Sequence, residues 1–173
     1  GTPISVVFSA GNHRFACGQT YGTVLGGAQS AKNVITVGAV NDDGSHSGSS
    51  SGWGPTLDGR IKPELVSPGV SIRSTWPGGG YGGYTGSSQS APAVSGAIAL
   101  LQQQSRQVCD GHSGTDDTML PATVRAILSH SATDLDTTGP DYSTGFGMVN
   151  VEQAVRTLPS HIENSIANGT LEV

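Results

Sequence analysis

The sequence predicts an α/β fold with a mostly parallel sheet, and three observations predict it. Residues 4–10 and 33–40 are almost continuously apolar and rich in β-branched side chains, as in strands covered on both faces of a parallel sheet. A glycine-rich segment then leads into Val94, Ile98 and Leu101, apolar at the spacing of one helical face, which Ala97 and Leu100 widen. Two more stretches with helical periodicity follow, giving strands and helices in one chain.

Each element has a local reason. Ile4-Ser5-Val6-Val7-Phe8 forms the first strand and ends in Ser9-Ala10-Gly11-Asn12, small residues and then a turn former. Val34-Ile35-Thr36-Val37-Gly38-Ala39 forms the second. Asn41-Asp42-Asp43-Gly44 is a turn signal, and residues 41–62 read as a Gly/Ser/Asp-rich loop. Residues 64–75 hold one or two short strands around Ser67-Pro68-Gly69. Residues 76–84, Trp-Pro-Gly-Gly-Gly-Tyr-Gly-Gly-Tyr, read as a loop. No Lys follows and no strand leads directly into it, so it is not a phosphate cradle. A helix is expected over 88–104, with Pro92 in its first turn, where a missing N–H costs least. Ala93, Ser95, Gly96 and Ala99 are small enough to let it lie close under the sheet. A second helix is expected over 121–131, with Val124, Ile127 and Leu128 as its stripe, and a third over 151–158. After Pro159 the pattern changes: 160–169 is polar and 170–173 alternates like a strand start. The expected organisation is therefore one unit over 1–159 and a linker, or the start of a β-rich domain, over 160–173.

Composition narrows the class. A chain of 173 residues is long enough for one domain with a core. Only 12% of residues are charged and 26 are Gly, which suits a secreted or extracellular protein with long surface loops. The formal net charge of −5 gives no basic footprint for nucleic acid. No run of 18 apolar residues exists, so no membrane span is expected. Cys17 and Cys109 lie in polar contexts and could pair with each other or with a cysteine upstream. A closed loop of that length would add about 4 kcal/mol by chain entropy. Asn168-Gly169-Thr170 is a glycosylation sequon, a triplet common by chance.

The chemistry is concentrated at Gly86-Ser87-Ser88-Gln89-Ser90-Ala91-Pro92-Ala93-Val94-Ser95-Gly96, where hydroxyls sit between a glycine loop and a helix. A helix N-terminus points free N–H groups and its positive dipole end there, which suits a nucleophile whose attack creates an oxyanion. The motif resembles the nucleophile motif of the subtilisin-like serine peptidases, Gly-Thr-Ser-x-Ala-x-Pro-x-Val-x-Gly. Ser87 stands for Thr, Ser90 for Ala, and Ala93 where His is common. The strand ending in Asn12, the run 31–39, Gly52-Trp53-Gly54-Pro55, Lys62-Pro63-Glu64-Leu65-Val66-Ser67-Pro68-Gly69 and Gly145-Phe146-Gly147-Met148-Val149-Asn150 resemble further family segments in the same order. The resemblance covers about residues 4–158.

It implies a three-layer αβα fold, incomplete in this chain, with Ser88 as nucleophile and Asn12 as oxyanion donor beside the Ser88 N–H. Ser9, Ala10 and Gly11 would form one wall of the primary specificity pocket. It also implies an Asp and a His, both before the oxyanion Asn in chain order. No such motif is here. His13, His46, His112, His130 and His161 lie in other contexts, and Asp42, Asp43, Asp116, Asp117, Asp134, Asp136 and Asp141 sit in polar, loop-like stretches and read as solvated. The expected partners are thus polypeptide substrates and an N-terminal half of the same protein carrying the Asp and His. That half is either the rest of a longer polypeptide, a second chain of a nicked enzyme, or absent because this is a C-terminal piece. The chain alone is expected to be inactive. The reaction needs no cofactor; a structural calcium is frequent in the family, but no acidic spacing here marks a metal site. Gln89 stands where many members have an oxidisable Met.

Three other readings fit less of the sequence. A catalytically inactive subtilisin-like binding or structural domain has no chemical need of both Ser88 and Asn12. A sedolisin-like peptidase uses Asp where this chain has Asn12. A secreted glycan-binding protein, suggested by Gly, Tyr and Trp in loops, leaves the ordered motifs unexplained.

Overall fold

A computed structural model describes residues 3–15, 18–46, 49–109 and 118–158. Among these residues, five strands and three helices follow in order: β1 (Val6–Ser9), β2 (Val34–Val40), β3 (Leu65–Pro68), β4 (Ile72–Trp76), β5 (Gly80–Tyr84), α1 (Ser87–Cys109), α2 (Pro121–Ser131) and α3 (151–158). The first three form a parallel sheet in the order β1-β2-β3, with Val6 opposite Val34 and Val37 opposite Leu65. The α/β class and the parallel sheet are as expected.

Every residue of β2 is buried, as its apolar composition requires of a central strand. Its Ile35 and Val37 share one core with Leu65 of β3, Val94, Ile98 and Leu101 of α1, and Val124 and Leu128 of α2, and α3 adds Ala154 and Leu158. The opposite face of β2 meets the loop after it: a Cβ on Gly38 would come within 3.1 Å of Pro63 and of the Ser51 hydroxyl. The chain at 147–149 adds to the far side of β3, since the Val66 N–H donates to Gly147 O at 3.0 Å and the Val149 N–H to Val66 O at 2.9 Å.

The loop before β3 carries a buried ion pair. Lys62 and Glu64 are each 1% exposed, and Lys62 Nζ lies 2.6 Å from Glu64 Oε1. The ammonium also donates to Val34 O at 2.8 Å and Thr36 Oγ1 at 3.1 Å, while Glu64 Oε2 accepts from the Thr36 N–H at 2.8 Å. Arg125 of α2 approaches the same carboxylate at 3.0 Å. Burial draws the Lys62 pKa below its ordinary value even though Glu64 pulls it up. These bonds hold β2 to the approach of β3 through side chains as well as the strand ladder.

Several expectations change. β1 is not covered on both faces: Val6 and Phe8 are each 42% exposed and Ile4 76%. It is the edge strand, so nothing among the described residues lies beyond it. Residues 76–84 are not a loop. β4 and β5 pair antiparallel, Trp76 opposite Gly80 and Ile72 opposite Tyr84, with Pro77-Gly78-Gly79 turning between them. Gly78 and Gly79 both take a φ of 91°, which a β-branched residue would resist. Glycines alternating with tyrosines hid the strand, because Gly lacks the side-chain signal of a strand. Helix α1 runs past Gln104 to Cys109, its polar end tied down where Gln102 brackets the backbone of Met119 with bonds of 2.9 and 3.1 Å. Ala93, Ser95, Gly96 and Ala99 face outward and not toward the sheet.

The loop carboxylates are also more structured than expected. Asp136 bonds His46 at 2.7 Å, and Asp141 Oδ1 accepts from the backbone and hydroxyls of Ser143 and Thr144. Burial raises the Asp141 pKa, but those bonds outweigh it and hold it below the ordinary value. The expected helices at 121–131 and 151–158 are found with those bounds. Cys17, the side chain of Cys109, the sequon at Asn168 and the unit over 160–173 lie outside the described residues, as do His112, His161, Asp116 and Asp117.

Candidate active site

The site lies where the end of β1 meets the start of α1. Beyond Ser9 the Ala10 N–H still donates to Val37 O at 2.8 Å, continuing the ladder. Gly11 then takes a φ of 87°, which turns the chain and which glycine adopts without steric cost. The Gly11 carbonyl accepts from the Gly52 N–H at 2.8 Å and from the Ser87 hydroxyl at 3.1 Å, fixing the turn from two sides.

Asn12 is thereby delivered to the first turn of α1. Its Oδ1 accepts from the Ser87 N–H at 2.9 Å and lies 3.0 Å from the Ser87 hydroxyl, whose single proton it shares with Gly11 O. An N–H can only donate, so this contact fixes which end of the amide is oxygen. Nδ2 is left with no partner among the described residues. Ser87 is fully buried, whereas Ser88 is exposed. The approach is close: a Cβ on Gly86 would lie 2.8 Å from Asn12 Nδ2. Glycine is needed there for space.

The resemblance assigned the nucleophile and the donor, Ser88 and Asn12, and the fold brings both to the α1 N-terminus. Ser88 lines an open groove between β1 and α1 with Val7, Phe8, Ser9, Ala91 and Pro92. Of the three residues expected to form a pocket wall, Ser9 lines this groove, Gly11 is half-buried and Ala10 is fully buried, so Ala10 could offer backbone only. Ser87 is the residue of this candidate site whose contacts sequence reasoning passed over. Its hydroxyl was visible as a stand-in for Thr, but its grip on Asn12 joins positions 75 apart in the chain.

No histidine among the described residues bonds Ser88. His13 and His130 are exposed. His46 sits edge-on to Trp53, ring centroids 4.9 Å apart, and its Nε2 is taken by Asp136. Among the described residues no three His, Cys, Asp or Glu side chains gather as metal ligands. No helix among them is long and apolar enough to cross a membrane.

Comparison with known proteins agrees with this geometry. The sequence model of the Subtilase family, Peptidase_S8, matches residues 2–147. Subtilisin E of Bacillus subtilis (strain 168) is 34% identical over 151 residues, 87% of this chain and 34% of that protein. A subtilisin of Bacillus pumilus is 34% identical over 151 residues, 87% of this chain and 46% of that protein. The prenylagaramide maturation protease PagA superposes with a TM-score of 0.69 at 27% identity, over 90% of this chain and 50% of that one. The self-cleaved protease domain of PatA gives 0.64 at 30% identity, over 88% and 49%. The chain thus spans half or less of the length of these relatives. With the Subtilase model matching most of the chain, and with Asn12, Ser87 and Ser88 gathered where β1 meets α1, this chain belongs to the Subtilase family of subtilisin-like serine peptidases.

Proposed function

We propose that the chain supplies the nucleophile and the oxyanion hole of a serine endopeptidase whose Asp and His come from an upstream segment. The observation that carries this reading is the orientation of Asn12: Ser87 holds Oδ1, Nδ2 has no partner among the described residues, and the next residue after Ser87, Ser88, is exposed at the start of α1. In the complete protein the His takes the proton of Ser88 Oγ as that oxygen attacks a peptide carbonyl, and the Asp orients the His. Charge develops on the carbonyl oxygen, where Asn12 Nδ2 and the Ser88 N–H donate to it, and the dipole of α1 adds to the field. The amine leaves with the proton from the His, and water releases the acyl group from Ser88.

The exposed apolar edge of β1 supports the upstream half as partner, since Ile4, Val6 and Phe8 need a neighbour to leave water. Sparse charge and abundant glycine support a secreted setting, with polypeptides as substrates.

The test is the intact mass of the complete protein after exposure to a fluorophosphonate probe. One adduct, mapped to Ser88 and abolished in Ser88→Ala, is expected. If no probe adds while the upstream Asp and His are present, the domain is an inactive subtilisin-like module.

A further inference from the structure

Trp53 has no role in the chemistry described above, yet the contacts around it run toward Asn12. The backbone of 50–53 is stapled to 11–14 at two points. The Gly52 N–H donates to Gly11 O at 2.8 Å, and the Arg14 N–H donates to Ser50 O at 3.2 Å. Asn12 and His13 lie between these staples in the chain. The two backbones meet closely at Gly52, where a Cβ would come within 2.6 Å of Ala10 O and 3.0 Å of Thr23 O. The position of 50–53 therefore constrains the turn that presents Asn12.

Trp53 is in turn fixed by several distant parts of the chain. Its N–H donates to Thr23 Oγ1 at 3.0 Å, and its carbonyl accepts from the N–H groups of Thr23 and Val24 at 2.8 and 3.3 Å. The Arg14 guanidinium carbon lies 4.3 Å from its ring centroid, a cation–π contact supplied by the oxyanion loop itself. His46 meets the ring edge-on at 4.9 Å. His46 is anchored across the fold: its Nε2 lies 2.7 Å from Asp136 Oδ2, which also accepts from Ser143 Oγ at 3.1 Å. The Gly54 N–H donates to Tyr142 O at 2.9 Å, so the same 136–143 stretch holds the chain just after Trp53 as well. Close-packed groups of this kind transmit a displacement and do not absorb it.

We infer that Trp53 is a positioning residue for the oxyanion donor: gripped by Arg14 and by His46, which Asp136 anchors, it fixes 50–53 and, through the Gly52–Gly11 bond, the place of Asn12. The inference rests on the peptidase reading. An oxyanion donor acts only at about 2.7–3.1 Å from the developing charge, so a small shift of its loop costs rate before it costs binding.

The test uses the complete protein, steady-state kinetics on one peptide substrate, and each variant in two backgrounds. Trp53→Leu removes the ring that Arg14 and His46 contact. It is expected to lower kcat about tenfold with KM within about twofold. In an Asn12→Ala background the same change should cost less than about twofold, because no donor is left to misplace. Trp53→Phe keeps a ring for Arg14 and should hold kcat within about threefold of wild type. Unchanged kcat in Trp53→Leu, a loss carried by KM, or equal losses in the two backgrounds overturns the inference. His46→Ala covers the case in which Trp53→Leu does not fold, since it leaves the backbone bonds of Trp53 in place and loosens only the ring. The 15N–1H signals of the Asn12 side-chain amide, identified by their loss in Asn12→Ala, should shift in His46→Ala. They should return toward wild type in His46→Gln, which can still donate to Asp136; unmoved signals in His46→Ala overturn the inference. Fluorophosphonate labelling separates the two failures. Labelled Ser88 with equal losses in the two backgrounds removes this inference alone, whereas an unlabelled Ser88 in the wild-type protein removes the peptidase reading and this inference with it.

Discussion

At the scale of single residues, Asn12 and Ser87 divide one task in the proposed oxyanion hole. Asn12 holds the donor, and Ser87 decides where that donor points by occupying Oδ1. Asn12→Ala in the complete enzyme should lower kcat about 10²–10³-fold with KM little changed, the loss known for a subtilisin deprived of the corresponding donor. Ser87→Ala keeps the N–H contact and loses only the hydroxyl, so its loss of kcat should be smaller, about tenfold, with wild-type thermal stability within about 1 kcal/mol. Steady-state kinetics of both variants check this, and a Ser87→Ala enzyme with wild-type kcat would show that the hydroxyl does not orient Asn12. Gln89 follows the nucleophile directly and has no thioether to oxidise. Activity should therefore survive mild peroxide, and rapid first-order loss tracking modification beside Ser88 would contradict this.

At the scale of elements, the Lys62–Glu64 pair fastens β2 to the approach of β3. Glu64→Gln would leave Lys62 buried without its counter-ion, at a cost of about 3–5 kcal/mol. Lys62→Met combined with Glu64→Gln should recover much of that, because the double change removes the stranded charge. Urea denaturation of the complete protein measures both, and additive losses would disprove the coupling. Asp141 gives a pH signature for its turn. Its pKa lies below 3.8 in the folded chain, so its contribution to stability is complete above that value and disappears as the pH falls through the folded-state pKa. A 13C titration of the Asp141 carboxyl should show a midpoint below 3.8, and a midpoint at or above it would remove the effect. The elements also show where sequence pattern sufficed. The second helix was legible to the residue because Pro121 opens it and Val124 and Leu128 repeat at helical spacing. The β4–β5 hairpin was not, since its strands are held by backbone pairing while glycine supplies three of the five residues of β5. The outward turn of Ala93, Gly96 and Ala99 was missed because small residues fit either side of a helix.

At the scale of the whole molecule, one edge of the parallel sheet is exposed among the described residues. Val6 and Phe8 project from β1 while β2 and β3 are almost wholly covered. Burying the remaining surface of a Phe is worth about 1 kcal/mol. Phe8→Asp in the complete protein should thus lower Tm by at least about 2–4 °C, and an unchanged Tm in calorimetry would mean that β1 stays at the edge there too. The sequence by itself determined the parallel β1 and β2, the helix after the glycine loop, and the motifs whose resemblance to the family points to Ser88 and Asn12, because apolar period and short motifs are local properties of the chain. Only the tertiary structure decided that Ser87 grips Asn12, that Glu64 pairs with Lys62 under β2, and that Arg14 is stacked on Trp53. The partners in the first and last of those contacts are far apart in the chain, and even the near pair is buried by β2. Burial and hydrogen bonding depend on which distant backbone arrives alongside, which no local pattern encodes.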